Sequence, residues 1–518
     1  MQPLSGLHIA SLIDRSSFDV ELYHEDWHGP YNTLQRSDYD LVFLTGLQAD
    51  FDRMRQLSFH FRREGAVVIA GGSICTLFPE FASQFFDAVC AGGVDAVPLV
   101  VADALNGKLK PIYRSASHQI SKFALDYSLL AKSGIHPPAH LIEASRGCSF
   151  RCSFCVIPAE GAKHASYDIE ILKQTIDNAI DTSPLWSFRR WYPAIFFFDN
   201  NFADDRRTML QVADMLSEHP RLRAWAALVT QDVLHDRELV RQLSRRKCRA
   251  LFVGLESLDR EFLRRYNKTQ NLSRRGDIVA DILYAETQGI FISYGCLLDP
   301  RLATAAEYRD QVEALLDVPG FPAPTYFSLI APLAGTATFW NDVENGELLP
   351  NLTLRDLEGE TIAYRQLKDS IENVAELADH MSRQPWRLVP WRKMLASTLR
   401  RIVRSGRLDP VHWYMIAATN LHSYWFAHGA SALRKLYLPG DLMDPQYAEF
   451  PGDISAADRA KYFEPIRVTD EDGRLAEWLR PYQARRRKSN SERSTRRSAQ
   501  ASLENQITLD AGLGPGAN

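Results

Sequence analysis

The sequence predicts an α/β chain in three parts: a small parallel sheet, a partial (β/α)6 barrel, and a mainly helical C-terminal region. Three observations carry this. Short apolar runs alternate with amphipathic stretches along residues 1–115, and a second series of six such runs follows between His140 and Asn345. From Gly346 to Tyr482 the apolar period becomes mainly helical and aromatic side chains gather.

In residues 1–115 the runs DVELYHED, YDLVFLTG, AVVIAGG and FDAVCAGG each read as a buried strand ending in a turn. Helical stretches such as FDRMRQLSFHFRREG lie between them. Strand, helix, strand at this pitch means parallel pairing through right-handed crossovers, a Rossmann-like sheet. Such sheets bind ligands beyond the carboxyl ends of their strands, where this chain carries Gly46, Gly71, Gly72, Gly92 and Gly93. Residues 116–139, polar and then Pro-rich, read as a linker.

The second series, residues 140–345, has candidate strands AHLIEASRG, AIFFFDNNF, RAWAALVT, RALFVGLES, GIFISYGCLLD and TYFSLIAPL. Segments such as IEILKQTIDNAI and RRTMLQVADMLSEH separate them with helical spacing. Six βα units are too few for a closed eight-stranded barrel and suit a partial one, with functional residues at the C-terminal strand ends.

Residues 346–482 read as a helical domain containing Trp386, Trp391, Trp413, Tyr414, Tyr424, Trp425 and Phe426, expected to close over the barrel mouth. Residues 483–518 read as a disordered basic tail. Pro481–Asn518 holds seven Arg or Lys against three acids, +4 of a chain total of −4, which leaves −8 elsewhere. A solvated tail explains that run, so no specific nucleic-acid binding is expected. No apolar run approaches the ~20 residues of a membrane span. Seven sparse cysteines argue against a disulfide framework and for a reducing, cytoplasmic setting.

Three of those cysteines crowd into RGCSFRCSFC, at Cys148, Cys152 and Cys155, directly after the first barrel strand. A structural zinc site closes with four ligands, and the only neighbouring fourth candidate is His164. A redox pair needs only CxxC and leaves Cys148 unexplained. Four-iron clusters are normally held by four thiolates, so three leave one iron open, as a catalytic metal requires.

CxxxCxxC at this position resembles the motif of the radical S-adenosylmethionine (SAM) enzymes. The resemblance implies that Cys148, Cys152 and Cys155 ligate a [4Fe–4S] cluster, with Phe154 as the family's usual aromatic there. It implies that SAM chelates the fourth iron and is cleaved reductively to a 5′-deoxyadenosyl radical, with a reductant such as flavodoxin or ferredoxin as partner. FFFDNNF, FVGLES and YNKTQN are similar to strand ends and loops of the branch that carries an N-terminal cobalamin-binding domain. On that resemblance Asp199, Asn200, Gln231 and Glu256 hold SAM, whose ammonium and hydroxyls suit carboxylate and amide partners. Helix capping is the plainer role for Asp199 and Glu256, and a loop salt bridge for Lys268.

PLSGLHIASL, YDLVFLTG and AVVIAGGSICTLFPEF resemble the cobalamin domain itself, which implies that the loops at Gly46, Gly71, Gly72, Gly92 and Gly93 approach the cofactor. The chain departs from the branch by lacking the strand usual before PLSGL and the DxHxxG motif; only Asp26-Trp27-His28 approximates that motif. The resemblance implies cobalamin-dependent methyl transfer to an unactivated centre of a small molecule. Two alternatives stay open at this point. One is a cobalamin-independent rearrangement, cyclisation or 3-amino-3-carboxypropyl transfer; the other is a non-catalytic iron–sulfur or zinc protein. Cys75, Cys90, Cys248 and Cys296 read as packing residues.

Overall fold

The computed structural model describes residues 4–32, 35–115, 123–135, 139–161, 163–272, 277–359, 361–382, 390–421, 454–488 and 491. Its first sheet is β1 (Leu41–Gly46), β2 (Val67–Gly72), β3 (Ala88–Ala91) and β4 (Ile112–Arg114), parallel and in sequential order. Val68, Ala70 and Val89 bury one face against the helix Phe51–Arg63 and the chain around Phe78–Phe86, while Ile69, Ala88 and Tyr113 bury the other. Burial on both faces is why these strands read as continuous apolar runs rather than alternating ones.

The run DVELYHED is not a strand. Its end forms the helical turn Glu25–His28, where the Glu25 carboxylate accepts from Tyr31 N–H and pairs with the Arg53 guanidinium at 2.7 Å. That leaves β1 as the edge of the sheet, and the helix Leu4–Ser11 lies against it. The same helix sends Leu7 and Ala10 into the core of the second sheet, so the PLSGLHIASL segment serves both units.

That second sheet begins with β5 (His140–Ile142). A two-stranded antiparallel hairpin follows, β6 (Ser145–Arg146) with β7 (Ala165–Ser166). The sheet continues with β8 (Ala194–Phe197), β9 (Ala224–Thr230), β10 (Cys248–Glu256), β11 (Phe291–Leu298) and β12 (Tyr326–Leu329). All six barrel strands pair in parallel, in the order β12-β11-β10-β9-β8-β5, giving the expected six-stranded partial barrel. Alternation along each strand sets the two faces. Leu251, Val253 and Leu255 of β10, and Trp225, Ala227 and Val229 of β9, pack outward with the helices. The residues between them face the concave side. Side-chain caps start the helices where the sequence supplies them, including Asp168, Asp205, Asp236, Asp259 and Asp277.

The C-terminal region is placed differently from the expectation. Helices Trp391–Ser405 and Pro410–Asn420 cover the opposite end of the barrel, at the N-terminal rim of its strands. Buried Arg401 donates to Glu286 Oε1, Asn420 Oδ1 and the Ile292 carbonyl, while Arg404 donates to Gly320 and Asp409 accepts from Tyr192. Ile416 packs on Ala250 and Phe291, closing the floor of the concave face. Trp386, Tyr424, Trp425 and Phe426 lie outside the described residues. The chain from Ile454 to Tyr482 instead joins the first sheet, with Trp478 stacked on Phe81 at 4.0 Å. The first residues of the expected tail are helical, through 488, and Arg487 there pairs with Glu344 at 3.3 Å.

Both C-terminal strand edges meet. Gln48, two residues after β1, exchanges hydrogen bonds of 2.9 Å with the backbone of Ala334 beyond β12. Gly335 packs on Leu77 and Phe78, and one apolar core runs continuously from Phe51 through Phe262 to Trp340. The small sheet therefore sits over the barrel mouth, glycine loops downward.

Candidate active site at the barrel mouth

The cysteine loop springs from the pinch of the β6–β7 hairpin. Gly147 takes φ +79°, and a Cβ there would lie 2.4 Å from the Lys163 carbonyl oxygen, so glycine is required where the strands of the loop cross. From this base the loop is fixed on two sides. Asn200 Oδ1 accepts the Gly147 N–H at 2.9 Å, and Asp204 accepts both the N–H and the hydroxyl of Ser149 at 2.9 Å. At its far end the Ser153 N–H donates to Tyr266, and the Thr338 N–H donates to Ser153. All three cysteines are free and partly buried, and Cys155 N–H donates to the Cys152 carbonyl at 3.2 Å. Burial pushes the Cys148 thiol up to about 11 and the Cys155 thiol up to about 12. Ligation to iron would displace those protons.

Among the described residues no three His, Cys, Asp or Glu side chains converge on a single metal ion. A [4Fe–4S] cluster does not need them to, because each thiolate binds a different iron. The donor set fits that cluster: three soft sulfur ligands on one anchored loop, with Gln270 Nε2 donating to Cys152 Sγ at 3.4 Å. His164, the fourth zinc candidate, stands 3.9 Å from Asp204 instead.

The strand-end residues divide by role. Asp199 is fully buried and accepts from the Ser145 hydroxyl at 2.6 Å and from the Ala144 N–H at 3.2 Å. Burial outweighs those donors and lifts its carboxyl up to about 7. It does not cap the next helix; Asp205 does. Asp199 and Asn200 thus grip the approach to the cysteine loop through the backbone. Glu256, at the end of β10, holds φ +60°, a backbone that costs a side-chain-bearing residue about 1–2 kcal/mol. It forms an ion pair with Lys268, itself 4% exposed, while Asp259 caps the following helix. Gln231 Nε2 donates to the Asn271 carbonyl at 3.0 Å.

Sequence reasoning underrated the loop Tyr266–Asn271. Tyr266 packs edge-on against Phe154, with ring centroids 5.8 Å apart, and its hydroxyl donates to Asp299 at 2.6 Å. Asn267 donates to the Arg151 carbonyl, Lys268 lies 5.9 Å from the Phe154 ring centre, and Asn271 Nδ2 donates to the carbonyls of Gly254 and Leu255. A run of polar residues directly after a helix was the available signal, and its burial was not readable. The cluster Glu143, Arg146 and His8 was also missed: Glu143 pairs with Arg146 at 2.7 Å and with His8 at 3.1 Å. Arg146 and His8 hold the Glu143 carboxyl down at about 2, whereas burial lowers His8.

The glycine loops face this site. Ser73, beside Gly72, accepts from Gln48 Nε2 at 3.3 Å, and the same amide donates to the Ala334 carbonyl beyond β12. Gly72 holds φ +101°, and a Cβ there would lie 2.5 Å from the Gly46 carbonyl oxygen, whereas a Cβ on Gly71 would meet nothing nearer than 4.0 Å. Gly92 N–H is taken by the Thr76 hydroxyl, and Gly93 accepts from Ser115. Room beside Gly71 fits a ligand edge; Gly72 is required by the Gly46 backbone, and Gly46 by Asp50, whose Cβ would lie 2.8 Å from a Cβ there. His28 is turned away, with Nε2 2.8 Å from the Ser133 carbonyl and Nδ1 3.0 Å from the His24 backbone, so it is not a cobalt ligand. Cys75, Cys90, Cys248 and Cys296 are held protonated by burial, in keeping with packing roles.

Comparison with known proteins agrees with this geometry. Over 338 residues the chain is 26% identical to a bacteriochlorophyllide d C-8(2)-methyltransferase of Chlorobaculum tepidum, covering 63% of this chain and 73% of that one. A C-12(1)-methyltransferase from the same organism is 24% identical over 351 residues, 65% and 73% of the two chains. The fold matches the radical SAM methyltransferase TsrM of Kitasatospora setae, solved with tryptophan substrate and a SAM analogue. That match has a TM-score of 0.54 and 14% identity over 81% of this chain and 96% of that one. It also matches the cobalamin-dependent SAM radical enzyme OxsB, with a TM-score of 0.51 and 13% identity over 76% and 68%. Residues 142–283, from the end of β5 through the cysteine loop to the helix before β11, match the radical SAM superfamily, so the chain carries a radical SAM domain.

Proposed function

We propose that this chain transfers a methyl group from SAM to an unactivated centre of a small molecule, using a [4Fe–4S] cluster on Cys148, Cys152 and Cys155 and cobalamin beneath the N-terminal sheet. The observation that carries the reading is the facing of two strand-end edges, held by the 2.9 Å hydrogen bonds between Gln48 and the Ala334 backbone. The named activities of the Chlorobaculum relatives are methyl transfers, which supports the reaction class. When bound, the cluster supplies the electron that cleaves SAM, and cobalamin supplies a methyl carrier.

The chain's own residues hold the parts in register. Asp199, Asn200 and Asp204 fix the cysteine loop through its backbone, and Gln270 donates to Cys152. Glu256, Lys268 and Gln231 offer charge and amide groups to the polar end of SAM at the carboxyl ends of β9 and β10. The open side of the Gly71 loop would let cobalamin approach the backbone there. The floor at Phe291 and Ile416 closes the far end of the concave face, which limits what a radical formed there could reach. A small-molecule substrate and a one-electron reductant complete the set of partners. No described helix is long and apolar enough to cross a membrane.

The test is anaerobic reconstitution followed by SAM and reductant. Expected are 5′-deoxyadenosine and S-adenosylhomocysteine, with cobalamin retained through gel filtration. Absence of SAM cleavage, with Cys148→Ala indistinguishable from wild type, would overturn the radical reading. Cleavage without cobalamin retention would replace methyl transfer by cobalamin-independent rearrangement, cyclisation or 3-amino-3-carboxypropyl transfer.

A further inference from the structure

The concave face of the barrel carries an aromatic surface that neither the cysteine loop nor the strand-end residues use. Phe252 lies on the concave side of β10, because its neighbours Leu251 and Val253 pack outward with the helices. Tyr326 opens β12 on the same side, since Phe327 and Leu329 pack outward. Between them runs β11, where Gly295 pairs with Tyr326. The Tyr326 ring lies across Gly295 so closely that a Cβ on that glycine would sit 2.3 Å from the ring. Any other residue there would lift the ring off the sheet. The result is two nearly parallel rings, 5° apart in orientation with centroids 5.7 Å apart, and Tyr326 is still 40% exposed. An aromatic side chain that has found a stacking partner yet stays exposed on a concave wall offers its free area to a ligand. Phe196 adds a third ring on this side, because Ile195 and Phe197 on either side of it are buried outward.

We propose that the exposed face of Tyr326, backed by Phe252, is the surface on which the substrate lies, and that the substrate carries a flat, conjugated ring. A puckered saturated ring would not meet that face squarely. The inference rests on the barrel being the substrate site, as in the proposed function. Gly295 is its enabling residue, and Tyr326 and Phe252 set specificity.

The test uses two probes of equal charge and skeleton, 2-naphthoate and its fully saturated counterpart decahydro-2-naphthoate, titrated into the reconstituted protein with SAM present. Stacking on the exposed ring is expected to favour the flat probe severalfold. Tyr326→Leu and Phe252→Leu should each shrink that ratio severalfold, and Tyr326→Phe should retain it, which separates ring loss from misfolding. Gly295→Ala should act like Tyr326→Leu. Equal affinity for the two probes, or a ratio that survives both leucine variants, overturns the platform. SAM cleavage measured in parallel keeps the two readings apart. Discrimination without cleavage removes the radical reading and leaves the platform standing, while cleavage without discrimination does the reverse.

Discussion

Replacing Gly147 by alanine tests whether the pinch of the β6–β7 hairpin assembles the cysteine loop. The new Cβ would stand 2.4 Å from the Lys163 carbonyl oxygen and 2.6 Å from its carbon, where ordinary contact begins at 3.4 Å. The strands must therefore part by about 1 Å, the difference of those distances. Alanine at φ +79° adds about 1–2 kcal/mol of backbone cost. The hairpin has only two residue pairs, and each hydrogen bond contributes about 1 kcal/mol net, so the hairpin yields before the barrel does. The expected phenotype is a folded protein whose melting temperature falls by only a few degrees, with iron and sulfide content after reconstitution reduced by half or more. Gly161→Ala is the control: that residue has φ +75°, yet a Cβ there meets nothing within 4 Å, so it carries the backbone cost without the clash. Full cluster loading in Gly147→Ala, or equal losses in both variants, would refute the reasoning.

Lys268→Met should leave the Glu256 carboxylate unpaired in a nearly buried position, costing roughly 3–5 kcal/mol and weakening SAM binding at least tenfold; wild-type SAM affinity by equilibrium dialysis would count against it. Asp199 gives a pH signature. Its carboxyl binds a proton more tightly folded, up to about 7, than unfolded, near 3.8, so stability is fully present below about pH 4 and is lost as pH rises towards 7. The loss amounts to roughly 4 kcal/mol, and Asp199→Asn should remove it; parallel urea-midpoint profiles for wild type and variant between pH 4 and 8 would show the slope lies elsewhere. Arg401→Met should strand the buried Glu286 and destabilise the barrel floor by about 3–5 kcal/mol, with Arg401→Met/Glu286→Leu recovering most of it in denaturant unfolding.

The cysteine spacing, through its resemblance to a family motif, carried the chemistry. Three thiols at intervals of four and three residues after an apolar run are a local pattern, and local patterns survive in one dimension. The six barrel strands and their order were legible for the same reason, since each is a short apolar run with a capped helix after it. DVELYHED misled because its apolar residues alternate like a strand, while Glu25 is claimed by Arg53, a partner 28 residues away. Asp199 and Glu256 were recognisable as strand-end polar residues, but which of them grips a backbone and which pairs with a lysine depends on neighbours brought from elsewhere in the chain. The C-terminal helices show the limit most clearly: their aromatic content suggested a lid, yet Arg401 ties them to the far rim through Glu286 and Ile292. The cysteine triplet proposed to bind iron was therefore legible in sequence. Tertiary packing decided which surface the cluster faces, what closes the barrel floor, and where two aromatic rings meet over a glycine, because each depends on contacts between residues far apart in the chain.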